Sequence, residues 1–214
     1  ADCIADILNT AAATDSSVTG SATATDNCGT PSFGFSDSVE AGTCPQESVI
    51  TRTWTATDEC GNASNCDQSI AVVDNSAPMI SCPSNSTVNC EDDSSSANTG
   101  AATATDNCDN DVAITESDSV ASGSCPQETV ITRTWTGTDD CGNASSCDQI
   151  VAVVDDENPA ITCPADTTVN CEDDRSSANT GVATATDNCD TEIDIVESDS
   201  VAAGTCPQEE VITR

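Results

Sequence analysis

Two kinds of side chain in this sequence could do chemistry: thiols and carboxylates. The chain carries 15 cysteines and 38 acidic residues, against four arginines, no lysine and no histidine. Cysteine serves as a metal ligand, a nucleophile or half of a disulfide. Structural zinc sites pair Cys-x-x-Cys steps or add histidine, and the sequence has neither. A nucleophilic thiol needs a neighbouring base, and His and Lys are both missing. Disulfides are therefore the expected state. They place the protein in an oxidising setting, extracellular or at the cell surface.

The carboxylates give a formal net charge of −34. Such a chain repels nucleic acid and anionic membrane surfaces, and no apolar run reaches the length that would insert into a membrane. It also repels itself when compact, so it is either disordered or neutralised by divalent cations. Cysteines and patterned strands argue against disorder, which leaves calcium as the expected cofactor. Carboxylate pairs can also hydrolyse glycosides. Those enzymes use aromatic platforms, and the only rings are Phe33, Phe35, Trp54 and Trp135. No phosphate loop, dinucleotide fingerprint or nucleophile elbow occurs, and no enzyme is expected.

The elements that must position these groups are repeated. TATDNC stands at 23–28, 103–108 and 184–189, ITRTW at 50–54 and 131–135, and CGNAS at 60–64 and 141–145. The period is about 81 residues. Alternation of β-branched and polar residues is plain in Val130–Thr136 and Ile150–Val154, so the pieces are strands. No stretch has helical periodicity. The reading is an all-β chain of tandem immunoglobulin-like β-sandwich modules in a linear array. The boundaries are 1–74 (atypical N-terminus), 75–155 (complete) and 156–214 (lacking its last strands). The unfinished third module fits either a fragment of a longer array or completion by a neighbouring molecule.

Three stretches carry a family resemblance: VVDxxxPxIxCP at 72–83, TATDNC at 103–108 and ITRTWTxTDxCGNASxC at 131–147. Together they resemble the HYR-like branch of immunoglobulin or fibronectin type III-like modules, which form long arrays in secreted and cell-surface proteins, many of them bacterial. The resemblance implies an extracellular adhesive or scaffold role and no catalytic residues. Six cysteines per module allow fifteen connectivities. The poles of an immunoglobulin-like sandwich select Cys82–Cys147, Cys90–Cys125 and Cys108–Cys141. The copies are Cys28–Cys60, with Cys3, Cys44 and Cys66 competing, and Cys171–Cys206. Cys163 and Cys189 then lack partners within the chain.

The same poles gather acidic clusters at the linkers between modules. Asp106-Asn107, Asp139-Asp140 with Asn143, and Asp74-Asn75 meet at one junction. Asp155-Asp156-Glu157-Asn158 and Asp187-Asn188 meet at the next. Asp26, Asn27, Asp58, Glu59 and Asn62 are the first-module counterparts. Calcium takes six to eight oxygens from such groups, although Asp and Asn are also ordinary turn residues. Each inward-facing Arg of ITR (Arg52, Arg133, Arg214) is expected to pair with Asp37, Asp118 or Asp199 of its own module, or else to reach solvent along its stem. In the first two modules Trp54 or Trp135 would pack on the guanidinium.

The expectation is an extracellular structural protein, a calcium- and disulfide-stabilised array forming a filament or surface stalk. Its partners are copies of itself, head-to-tail or strand-complemented. The rival is the spacer of an adhesin that binds glycan or protein ligands. Three Asn-x-Ser/Thr sequons, at Asn62, Asn85 and Asn143, leave room for attached glycans.

Overall fold

The structure is a computed structural model that describes residues 19–205 and 208–214. It is mostly β strand, in several small sheets, with almost no helix. The first sheet has the order β1-β2-β3, from Ser32–Ala41, Ser48–Thr57 and Ala63–Val72. Short strands β4 (Met79–Ser81) and β6 (Thr103–Thr105) pair antiparallel. A four-stranded sheet has the order β5-β9-β8-β7, where β5 is Ser86–Asn89, β7 Ala113–Ser122, β8 Thr129–Thr138 and β9 Ala144–Val154. Two pairs follow: β10 (Ala160–Thr162) with β11 (Thr184–Thr186), and β12 (Ser200–Ala203) with β13 (Glu210–Thr213). Among the described residues the helices are single turns, α1 at Ser96–Thr99 and α2 at Ser177–Thr180.

The strands form where Thr, Val and Ile alternate, because branched side chains pack well on a pleated surface. In β8 the alternation is complete: Ile131, Arg133, Trp135 and Gly137 are buried and their neighbours are not. In β2 it holds for Ser48, Ile50 and Arg52 and then stops. Trp54, the counterpart of Trp135, is only half-buried.

The chain divides into two compact units. One comprises Ala1–Asn85, Thr99–Ser119 and Thr132–Ile150, the other Ser86–Asn98, Val120–Ile131 and Val151–Arg214. The middle sequence repeat is thus shared between them. The first unit has an apolar cluster of Ile50 and Val72 with Ile70 against it. The second packs Val88, Ile131 and Val151 with Val153. A fully buried side chain of this size contributes about 1.5–3 kcal/mol. Ordering one residue's backbone costs roughly 1–2 kcal/mol. Cores of three or four residues do not hold such sheets by themselves.

Part of the remainder is polar. Arg52 is wholly buried and Arg133 nearly so. Arg52 donates from Nε and Nη2 to the two oxygens of Asp37, both at 2.8 Å. Arg133 holds Asp118 at the same distances, and Arg214 holds Asp199 at 2.6 and 2.8 Å. Each Arg also donates from Nη1 to a threonine hydroxyl, Thr19, Thr99 or Thr180. The two-pronged geometry matches carboxylate to guanidinium and compensates a buried charge. Ring packing differs by module. Arg52 lies over Phe35 at 4.4 Å and Trp54 at 5.7 Å. In the second and third repeats a glutamate replaces Phe35, and Glu116 and Glu197 stand 3.9 and 3.8 Å from their Arg.

Candidate cation sites and the cystine framework

Each TATDNC string ends in the same turn. Asp106 Oδ1 accepts the N–H groups of Cys108 and Asp109, at 2.8 and 3.0 Å. Asp187 does the same for Cys189 and Asp190, both at 2.9 Å. These donors, Asp190 first and then Cys189, hold the Asp187 carboxyl below the usual carboxylate range, so it is charged at neutral pH. The turn aims the aspartate at the linker. Asp74, Asp106 and Cys108 bring one oxygen or sulfur each within 4.8 Å of one another, and Asp155, Asp187 and Cys189 repeat the group. Asp74 is 3% exposed.

The chemistry of the donors decides which ion fits. Cys108 and Cys189 are disulfide-bonded, so neither offers a thiolate and a soft metal gains nothing there. What remains is a pair of facing carboxylates, which repel unless a cation or proton lies between them. Hard oxygen donors of this kind suit a hard divalent cation rather than a soft one.

The other acidic residues of the expected sites belong to neither group. Asp139 builds a turn. Its Oδ1 accepts the N–H groups of Cys141 and Asn143 at 2.9 and 2.8 Å, and its Oδ2 accepts Asn143 Nδ2 at 2.9 Å. Asp58 repeats this with Cys60 and Asn62, and these bonds, the Asn62 amide foremost, hold its carboxyl low. Gly61 and Gly142 sit in the turn at φ 90° and 88°, where a side chain is strained. Asn143 Nδ2 also donates to the Asp74 carbonyl at 3.0 Å, tying this turn to the Asp74 linker.

Further along, Asp140 donates its N–H to Asp109 Oδ2 at 2.9 Å. Asn89 Nδ2 donates to Asp156 at 2.8 Å, and the Glu157 N–H donates to Asp155. Asn107 Nδ2 lies 3.0 Å from Cys108 Sγ, and Asn188 Nδ2 lies 3.8 Å from Cys90 Sγ. In the first repeat Asp26 Oδ1 accepts the Cys28 N–H, and no acidic group forms among the described residues. Sequence reasoning missed Asp109, 5% exposed. Its signal is the aspartate three places after Asp106, repeated as Asp190.

The cysteines follow a scheme the sequence argument anticipated in one bond only. Cys82 bonds Cys147, with Cα atoms 5.9 Å apart. Cys90 bonds Cys189 rather than Cys125, and Cys141 bonds Cys44 rather than Cys108. Cys108 is itself disulfide-bonded. Cys28 and Cys60, expected to pair, are both exposed free thiols, as is Cys171; Cys206 lies outside the described residues. The error has one cause. The expected scheme closed every module on itself, whereas two bonds join consecutive repeats. Their separations, 97 and 99 residues, exceed the repeat period. The turns beside Cys44, whose sulfur bonds the next repeat, and beside Cys125, a free thiol, are capped alike. Glu128 accepts the N–H and hydroxyl of Ser124 beside Cys125, and Glu47 does so for Thr43 beside Cys44.

Residues 78–153 match the family model of the HYR-like domain with 4 cysteines. This stretch is an HYR-like domain. No curated protein matches the chain. The HYR-like domain contains six cysteines here. It keeps Cys82–Cys147 within itself and sends Cys141 back to the preceding repeat and Cys90 on to the following one. Together with its disulfides, it marks the protein as consistent with an extracellular β domain.

Proposed function

We propose that the protein is an extracellular structural protein, a repeat array that forms a filament or surface stalk and has no catalytic role. The observation that carries this reading is that consecutive repeats are joined by disulfides, Cys44–Cys141 and Cys90–Cys189. Modules that only display binding loops need no covalent tie to their neighbours. A tie across every junction transmits tension along the chain. The modules are read as immunoglobulin-like sandwiches in tandem, and calcium as the ion at Asp74–Asp106 and Asp155–Asp187. There it replaces carboxylate repulsion with shared coordination and stiffens the linker. The partners are further copies of the same chain.

The test is electron microscopy of the purified protein with calcium, with EDTA and with a reductant. Long regular fibres that disperse on reduction support the reading. Single rods with a distinct tip support the adhesin spacer instead.

A further inference from the structure

Three Asn-x-Ser/Thr sequons begin at Asn62, Asn85 and Asn143. Glycosyl transfer to such a motif places a sugar on the Asn side-chain nitrogen and needs the hydroxyl two places on. The structure gives the three nitrogens different duties. Asn143 Nδ2 donates twice, to the Asp74 carbonyl at 3.0 Å and to Asp139 Oδ2 at 2.9 Å. Both of its N–H groups are spent, and the side chain is half-buried. The hydroxyl of its sequon, Ser145 Oγ, donates to the Pro78 carbonyl. A sugar on that nitrogen replaces one hydrogen and so breaks one of the two bonds. Asn62 Nδ2 donates to Asp58 Oδ2 at 2.7 Å, while its backbone N–H donates to Asp58 Oδ1 at 2.8 Å. One carboxylate thus clamps both ends of this residue, in a turn whose Gly61 stands at φ 90°.

Asn85 differs. It is exposed, and its oxygen alone is used: Oδ1 accepts the Ile150 N–H at 2.9 Å. Among the described residues its Nδ2 donates to nothing. Thr87, which completes the sequon, is exposed as well. The backbone leading to Asn85 is fixed, because Cys82 is bonded to Cys147 and the Ser84 carbonyl accepts Gln149 Nε2 at 3.0 Å. The third repeat carries Asp166 at the position of Asn85. Aspartate keeps an accepting oxygen and lacks the amide hydrogens, so the fold needs the oxygen at this position and not the nitrogen.

We propose that Asn85 is an N-glycosylation site, and that Asn62 and Asn143 are structural asparagines that stay unmodified. The donor is a lipid-linked oligosaccharide, a glycosyl diphosphate. A C–N bond forms between Nδ2 and the anomeric carbon, and the bond from that carbon to the diphosphate oxygen breaks. The lipid diphosphate leaves together with the proton that Nδ2 gives up, and nothing is oxidised or reduced. The product is a secondary amide whose Oδ1 still accepts from Ile150. The reaction belongs to a secretory compartment, in keeping with the disulfides, and it does not depend on whether the chain assembles.

Glycopeptide mass spectrometry of the chain isolated from its source reads the three sites separately. A glycan at Asn85, with Asn62 and Asn143 bare, is expected. An unmodified Asn85, or a glycan at Asn62 or Asn143, overturns the assignment. In a secreting eukaryotic host, Asn85→Asp and Thr87→Val should each remove the N-linked glycan mass completely. Asn85→Asp keeps the acceptor for Ile150 and Thr87 is exposed, so neither variant should unfold earlier than the enzymatically deglycosylated natural chain. An N-linked glycan mass that survives Asn85→Asp places the sugar elsewhere and likewise overturns the assignment.

Discussion

Arg133 grips Asp118 with two parallel hydrogen bonds, Nε to Oδ1 and Nη2 to Oδ2, each 2.8 Å long. The guanidinium is buried, while Asp118 is about a third exposed. The two partners are thus unequal. Removing the acid leaves a buried cation balanced only by the more distant Glu116, 3.9 Å away, whereas removing the base leaves a carboxylate that water can reach. Asp118→Asn should cost roughly 3 kcal/mol, more than Asp118→Glu and more than Asp199→Asn, whose partner Arg214 is less buried than Arg133. Urea unfolding of the three variants checks the order, and equal losses would contradict it.

The same pairs set a pH dependence. The Arg hydrogen bond holds the Asp37 and Asp118 carboxyls below the usual carboxylate range. A carboxyl depressed in the folded state contributes stability above its unfolded value and loses it as pH falls through the folded one. Acidification also relieves the self-repulsion of a chain at −34, so the comparison must be between variants. Below about pH 4 the thermal midpoint of the natural chain should fall toward that of Asp118→Asn. Parallel curves down to pH 2 would show that the pair does not titrate.

Calcium at the carboxylate pairs should raise the thermal midpoint, and EDTA should lower it. Asp106→Asn removes one charge from the first pair and should weaken binding on the order of tenfold or more. Asp140→Asn, whose acid belongs to neither group, should leave it unchanged. Titration calorimetry separates the two, and equal affinity in both variants would move the site elsewhere.

The staples should carry much of the stability. Cys44–Cys141 spans 97 residues, a loop whose closure limits the unfolded chain by about 4–5 kcal/mol. Cys44→Ser should cost an amount of that order and leave Cys141 titratable by a thiol reagent. A Cys141 that stays blocked would mean that it has another partner.

Gly142 adopts φ 88° with open space around its missing Cβ. Its requirement is conformational, so Gly142→Ala should cost about 1–2 kcal/mol and slow formation of the neighbouring Cys141 bond. Oxidative refolding followed by gel shift reads both effects.

Much of this molecule was legible in its residues. Alternation around Arg133 placed that side chain on the buried face, and the 81-residue spacing matched each Arg to its Asp. The carboxylates of Asp74 and Asp106 were expected at one linker because strand ends and linkers share a pole. These are short-range consequences of a period-two pattern, and local chemistry writes them. Cystine pairing is different. Cys90 is equally compatible in sequence with Cys125 and Cys189, since a sulfur has no local preference among distant partners. Only the placement of the third repeat decided it.

The TATDNC string marks the boundary most plainly. Its β propensity is the same at 23–25, 103–105 and 184–186, and its aspartate caps the following turn in every copy. Whether it becomes a strand depends on a neighbour that supplies the other half of the ladder. A three-residue strand has no internal hydrogen bonds to stand on. The residues set what each segment could become, and tertiary contact decided which of them did.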